Sequence, residues 1–157
     1  MSALDSLYQQ IILEQSKARH GADLANDQLQ GQHLPPNVGQ CHQLNPVCGD
    51  EITLRLETED GGAGRTVSGI HWAGDGCAIS MASASILSEL VVGLGVEEVT
   101  GLIGNFRTLM RSRGKLEADE EILGDAAALS GVSKYPARVK CAMLAWVAAE
   151  DALNQIT

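Results

Sequence analysis

The chain has 157 residues, of which 45% are hydrophobic and 20% are charged, and its formal net charge is −9. This composition is typical of a folded protein, so we expect one domain over residues 1–157 and exclude a disordered chain. The negative charge argues against a nucleic-acid partner, because phosphate backbones would repel it. The N-terminus lacks the features of a signal peptide, and the longest apolar run, residues 90–96, is too short to span a bilayer. We therefore expect a cytoplasmic protein without a membrane partner.

The first third of the chain predicts a helix followed by a loop. Apolar residues recur at helical spacing over residues 3–18, and this pattern disappears over residues 21–47. Loops of that length are uncommon inside compact domains and are usually functional or mobile. A further strand within residues 37–47 is left open. The turn-forming residues of this stretch are Gly21, Asn26, Asp27, Gly31, Pro35, Pro36, Asn37 and Gly39.

The rest of the chain predicts a hairpin followed by helices. Residues 51–57 alternate strictly between polar and apolar side chains, and residues 66–72 form a second strand after a glycine-containing turn. Because strands and helices are segregated along the chain, we expect an α+β fold in which a small antiparallel sheet of about three strands packs against several helices. The predicted helical segments are residues 78–92, 96–111, 119–129 and 136–153.

Three cysteines stand at junctions between predicted elements. Cys48 precedes the first strand of the hairpin, Cys77 lies between the second strand and a helix, and Cys141 lies in the first turns of the last helix. Asp50 follows Cys48 closely, so a tight turn would bring both side chains to one ion. Three thiolates and a carboxylate suit a tetrahedral zinc or iron site. Thiols also stay reduced in the cytoplasm, which favours metal binding over disulfides.

The neighbours of these sulfurs favour a site. Gly49 and Gly76 permit positive φ angles and remove side-chain bulk beside an ion, and the amides at a helix N-terminus favour the thiolate form of Cys77. Arg138 shares a helical face with Cys141 and can offset part of the negative charge of the ligands. On spacing alone, buried free cysteines that only fill the core stay an equal alternative.

The fourth cysteine, Cys41, is followed directly by His42 within the predicted loop. A Cys–His pair can act as nucleophile and base, but adjacent side chains usually point apart and a loop is a poor scaffold for catalysis. We predict that this pair is not a catalytic unit. His71, on the second strand, is predicted to be a surface or packed residue rather than a ligand.

Three segments resemble the signature segments of the IscU/SufU family of iron–sulfur cluster assembly proteins, which includes NifU-N-like domains. They are Asn-Pro-Val-Cys-Gly-Asp at residues 45–50, Gly-Asp-Gly-Cys-Ala-Ile-Ser-Met-Ala-Ser-Ala-Ser at residues 74–85, and Lys-Tyr-Pro-Ala-Arg-Val-Lys-Cys at residues 134–141. Three features resemble the SufU branch. Lys140 replaces a histidine before the third cysteine, no Leu-Pro-Pro-Val-Lys segment lies near that cysteine, and residues 115–133 form an extra segment.

The resemblance implies a SufE/IscU-like fold with zinc bound by Cys48, Asp50, Cys77 and Cys141. It also implies a zinc-dependent sulfurtransferase in which Cys48 accepts persulfide sulfur from a cysteine desulfurase of the SufS type. Arg138 would help to free the acceptor thiolate, and downstream cluster scaffold proteins would be further partners. Cys41 is not part of the family pattern.

Two other functions would use the same residues. The four side chains could hold a labile [2Fe–2S] cluster on a scaffold, since three thiolates and one oxygen can bind such a cluster. Lys140 in place of histidine counts modestly against this alternative. An alternative from another class is a purely structural zinc domain, in which loss of Cys48 would reduce stability first.

Overall fold

Within residues 3–25, 28, 33–62 and 64–156, which the computed structural model describes, the chain forms a three-stranded sheet and five α-helices. The predicted α+β class and the strand number are therefore confirmed. A 3₁₀ segment, Gly124–Lys134, separates the last two helices. In chain order the elements are α1 (Ala3–Ala18), β1 (Val38–Leu44), β2 (Glu51–Gly61), β3 (Gly64–Asp75), α2 (Ala78–Val91), α3 (Val96–Arg111), α4 (Glu120–Leu123) and α5 (Pro136–Asn154).

The strand β1 corrects the prediction of one long loop over residues 21–47. It pairs antiparallel with β2, so that Cys41 lies opposite Leu54. Cys41 and His42 thus belong to a strand and not to a loop. The strand escaped the pattern because most of its residues are small or polar. The predicted turn formers Asn26, Asp27 and Gly31 lie outside the described residues.

The hairpin of β2 and β3 supplies the sheet side of the core. As the alternation predicts, Ile52, Leu54 and Leu56 are buried. Both strands are longer than predicted, and the pairing reaches from the glycine-rich tip to Glu51 opposite Asp75. This last pair matters for the site, because it brings the turn after β1 beside the turn after β3.

Two helices form the other side of the core. Helices α2 and α5 pack against each other and against the sheet. The buried residues of α2 include four serines and surround most of the helix. The ring of Phe106 on α3 stacks on that of Trp146 on α5, with centroids 4.0 Å apart. Both side chains are fully buried, so the core continues between α3 and α5.

The prediction of a helix over residues 119–129 is mostly wrong. Only Glu120–Leu123 is α-helical, and the chain continues as a 3₁₀ segment. Gly124 has a φ of 53° and a ψ of −134°, a backbone conformation that glycine adopts readily and that cannot continue an α-helix. Apolar residues of this stretch do face the core, since Leu123 and Leu129 are buried. The backbone around Leu129 is a 3₁₀ segment, however, and not an α-helix.

Candidate metal centre

The predicted ligands converge where the turn after β1 meets the N-terminal ends of α2 and α5. One ligand atom from each of Cys48, Asp50 and Cys141 lies within 4.8 Å of the other two. The sulfurs of Cys48 and Cys141 are 3.5 Å apart. Cys77 joins this group through Asp50, because its Sγ lies 3.4 Å from Asp50 Oδ2.

These separations fit a tetrahedral metal ion. Two sulfurs that each lie about 2.3 Å from a zinc ion would be roughly 3.8 Å apart, and a sulfur and a carboxylate oxygen would be roughly 3.6 Å apart. The distances in this centre, 3.5 Å between sulfurs and 3.4 Å from sulfur to oxygen, are within a few tenths of those values. The structure therefore brings Cys48, Asp50 and Cys141 close enough to share one ion, whereas Cys77 is not part of that mutually close group and contacts it through Asp50.

The turn that carries Cys48 and Asp50 is closed by Asn45, which is buried. The backbone N–H of Asn45 donates to the backbone carbonyl of Asp50, and the backbone N–H of Gly49 donates to the backbone carbonyl of Asn45, both at 2.8 Å. Gly49 has a φ of 76°, so this glycine uses the positive φ that it permits and avoids the strain that other residues would meet there. The turn leaves the Cys48 side chain exposed while it buries Asp50.

The turn that carries Cys77 packs its backbone directly against Asp50. Gly76 was predicted to permit a positive φ and to remove side-chain bulk beside the ion, and the structure uses the second property, since the φ of Gly76 is not among the positive ones. Its role is close approach, because a Cβ at this position would lie 2.7 Å from Asp50 Cγ. The Cys77 amide, at the N-cap of α2, donates to Asp50 Oδ1 at 3.2 Å. The helix N-terminus thus fixes the carboxylate from one side.

The pKa values of Asp50 and Cys141 are shifted in opposite directions. Burial alone raises the pKa of Asp50, but hydrogen bonds from Ser80 and the three thiols outweigh it and hold the pKa of that carboxyl below its usual value. Burial, and then hydrogen bonding with Cys48 and Asp50, raises the pKa of the Cys141 thiol far above that of a free cysteine. Such a thiol ionises when a cation lies beside it, which is what a metal ion supplies.

Two contributors to the centre were missed from the sequence. Arg19, at the end of α1, donates to the Gly74 carbonyl at 3.1 Å, and its guanidinium lies 4.9 Å from the centre of the Trp72 ring. It therefore ties α1 to the turn that carries Cys77. Ser80 donates a hydrogen bond to Asp50 Oδ2. A single arginine at a helix end carries no signal in the sequence, whereas Ser80 stands one helical turn after Cys77 and could have been suspected.

Arg138 is exposed on α5, and its guanidinium carbon lies 5.6 Å from the centre of the Tyr135 ring. Among the residues described, it makes no hydrogen bond or salt bridge with the four predicted ligands. The structure therefore places it on the helix of Cys141 but turned towards Tyr135.

The remaining cysteine and histidines have other partners. Cys41 Sγ lies 3.6 Å from Asp151 Oδ2, whereas His42 Nε2 lies 3.2 Å from Glu51 Oε2. The two side chains point apart because neighbouring residues of a strand alternate between its faces. His71 Nδ1 lies 2.7 Å from Asp23 Oδ1, in a hydrogen bond at the surface.

Comparison with known proteins identifies the family. The family model of the NifU-like N terminal domain matches residues 8–153, which is almost the whole chain. The chain belongs to this family. The resemblance inferred from the three cysteine-containing segments is thereby confirmed. No helix among the described residues is long and apolar enough to cross a membrane.

Relatives of this family are similar over nearly the full chain. The zinc-dependent sulfurtransferase SufU of Bacillus subtilis (strain 168) is 36% identical over 148 residues, which cover 94% of this chain and 89% of that protein. The iron–sulfur cluster assembly scaffold protein IscU of Streptococcus pyogenes serotype M1 is 33% identical over 155 residues, which cover 99% and 87%. Among solved structures, an iron–sulfur cluster assembly scaffold protein for the SUF system (SufU) of Fervidobacterium islandicum AW-1 has a TM-score of 0.69 at 30% identity, covering 94% of this chain and 97% of that one.

Proposed function

We propose that this protein takes part in iron–sulfur cluster assembly as a zinc-dependent sulfurtransferase that accepts sulfur from a cysteine desulfurase. The acceptor is Cys48, and zinc is held by Cys48, Asp50, Cys77 and Cys141. The observation that carries the proposal is an exposed Cys48 thiol 3.5 Å from the sulfur of a buried cysteine. A partner can reach such a thiol while the buried side of the centre stays in place. The similarity to the Bacillus protein named as a zinc-dependent sulfurtransferase supports the same function.

The chemistry requires a thiolate at Cys48. Bound zinc would keep the cysteine ligands ionised at neutral pH and join the three chain segments that carry them. The Cys48 thiolate attacks the terminal sulfur of a persulfide on the desulfurase. The sulfur–sulfur bond of the donor breaks, a new one forms on Cys48, and the donor cysteine leaves as a thiolate. No external oxidant or reductant is needed, because the oxidation state travels with the sulfur.

Arg138 is proposed to assist this step from the surface. Its guanidinium keeps a full positive charge at neutral pH, and it lies on the same helix as Cys141. A rotation of its long side chain away from Tyr135 would place that charge near the Cys48 thiolate. Arg138→Lys is therefore expected to slow transfer less than Arg138→Ala does.

The test uses zinc-loaded protein, its cognate cysteine desulfurase of the SufS type, and cysteine. We expect faster alanine release and a sulfur adduct on Cys48, identified by intact and peptide mass spectrometry. Cys48→Ser should abolish both, whereas Cys41→Ser, which changes a cysteine outside the centre, should leave both unchanged. An absent adduct together with unaccelerated alanine release would refute sulfur transfer.

A cluster scaffold is the second candidate, and the similarity to proteins named IscU favours it. The cluster would be cargo held by the same side chains, and an aspartate oxygen is a weaker ligand than a thiolate and suits a cluster that must leave. Anaerobic incubation with ferric iron and sulfide would then give a [2Fe–2S] absorption spectrum. That spectrum should disappear in Cys141→Ser and persist in Cys41→Ser.

A structural zinc domain makes a different prediction for Cys48. Removing one ligand of a structural zinc ion destabilises the fold, whereas the proposed transfer site should lose sulfur transfer first. The urea midpoint of zinc-loaded Cys48→Ser therefore separates these two functions. A large drop in midpoint with the wild-type rate of alanine release would favour the structural role.

A further inference from the structure

Ser80 occupies an unusual place among the buried serines of α2. Its side chain is 2% exposed, and its hydroxyl donates a hydrogen bond to Asp50 Oδ2. The same oxygen atom of Ser80 lies 3.5 Å from Cys77 Sγ. The hydroxyl thus touches two of the four proposed ligands and bridges two separate turns.

The other buried serines of this helix bond elsewhere. Ser83 donates to the Ala142 carbonyl at 2.6 Å, and Ser88 donates to the carbonyl of Ala84 in its own helix at 2.8 Å. Ser85 donates to Gln15 Oε1. The hydroxyl of a buried serine in a helix commonly donates a hydrogen bond to the carbonyl four residues earlier. Ser80 instead reaches a carboxylate 30 residues away in sequence.

The carboxylate of Asp50 is held at both oxygens. Oδ1 accepts from the Cys77 amide at 3.2 Å, while Oδ2 accepts from Ser80 and lies 3.4 Å from Cys77 Sγ. A carboxylate offers about four acceptor positions, so these contacts leave few of them for a cation. A carboxylate fastened in this way can present one oxygen to an ion in a fixed direction, but it cannot swing round to offer both.

We infer that Ser80 is a positioning residue that orients Asp50 as a single-oxygen metal ligand. This inference rests on the proposed function, since it assumes that a metal ion occupies the centre. Residues that orient a metal ligand through a hydrogen bond typically contribute 10–100-fold to metal affinity.

The experiment measures Co²⁺ binding to the full chain by competition with a chromophoric chelator and by the visible absorption of the bound ion. Ser80→Ala should fold, because alanine is smaller and favours helices. We expect its affinity for Co²⁺ to fall about 10–100-fold, with an altered ligand-field spectrum. Ser88→Ala is the matched control and should bind as the wild type does.

A double-mutant comparison separates positioning from general destabilisation. In an Asp50→Ala background, Ser80→Ala should cause no further loss of affinity, because the carboxylate that it orients is gone. Equal losses in both backgrounds, or a Ser80→Ala protein with the wild-type affinity and spectrum, would overturn the inference. Failure of the wild type itself to bind one ion would instead refute the proposed metal centre.

Discussion

The glycine beside Cys77 gives a sharp test of how tightly this centre is built. In Gly76→Ala, the added Cβ would lie 2.7 Å from Asp50 Cγ and 2.8 Å from Asp50 Oδ1. Ordinary contacts begin at 3.4 Å, so Asp50 and the Cys77 turn must separate by about 0.7 Å. Metal–ligand distances tolerate only about 0.2 Å. The substitution should therefore displace Asp50 from the set of ligands without removing any ligand atom.

The expected magnitude follows from that displacement. Loss of correct ligand orientation costs about 10–100-fold in metal affinity, which corresponds to about 1.4–2.7 kcal/mol. We would measure zinc affinity by chelator competition and stability of the metal-free protein by urea unfolding. The affinity of Gly76→Ala should fall by that factor, while its urea midpoint changes little because the clash is local to the centre.

Gly104→Ala is the matched control for this substitution. Gly104 lies in α3, and a Cβ there would meet no atom within 4 Å. Alanine in a helix is more favourable than glycine by about 0.5–1 kcal/mol, so this variant should keep its zinc affinity and gain slightly in stability. Zinc binding by Gly76→Ala within twofold of the wild type would show that the close packing of Gly76 on Asp50 does not set the geometry of the centre.

Two further predictions concern stability away from the centre. Ser83→Ala removes the acceptor of the Trp146 indole N–H, a 2.8 Å bond between fully buried groups, and should cost about 1–3 kcal/mol in urea unfolding. Ser88→Ala should cost less, because the Ser88 hydroxyl only donates to a carbonyl of its own helix, and equal costs would contradict this reasoning. The pKa of Glu150 is lowered, chiefly by hydrogen bonds from Arg107. The ionised Glu150 side chain therefore stabilises the fold fully above its unfolded pKa of about 4.5. This stabilisation is lost as the pH falls through the lower pKa of the folded state. Glu150→Gln should therefore be less stable than the wild type at neutral pH and lose less stability on acidification, and an unchanged acid dependence of the urea midpoint would refute this assignment.

The candidate ligands could be singled out from the sequence, and the structure brings three of them, Cys48, Asp50 and Cys141, close together. Cys48, Asp50, Cys77 and Cys141 stand out because a thiol or carboxylate beside glycine at a chain junction is recognisable without knowledge of the packing. The hairpin and α3 were also predicted, since their apolar residues follow one simple period. Strand β1 was left open because its few apolar residues give no period, and its extended conformation comes from pairing with β2.

Burial was the hardest property to predict. The apolar residues of α1 suggested a core-facing stripe, yet Leu4 and Leu7 are 50% and 51% exposed, and Gln15 is the residue of this helix that is buried. Gln15 is buried because it bonds Ser85 and Glu89 on α2, and such partners from distant parts of the chain leave no periodic signal. The buried serines of α2 were missed for the same reason.

The exposures of the four proposed ligands support a division of labour within the centre. Asp50 and Cys141 are buried, at 3% and 5% exposure, and each belongs to a hydrogen-bonded or helical framework that cannot move without disturbing the core. Cys48 and Cys77 are exposed, and Cys48 lies on a turn whose glycine tolerates an unusual backbone conformation. A purely structural metal site gains nothing from an exposed thiol, which only invites exchange and oxidation. An exposed thiol beside a buried, fixed pair of ligands is what a centre needs if one ligand must leave, react with a partner and return.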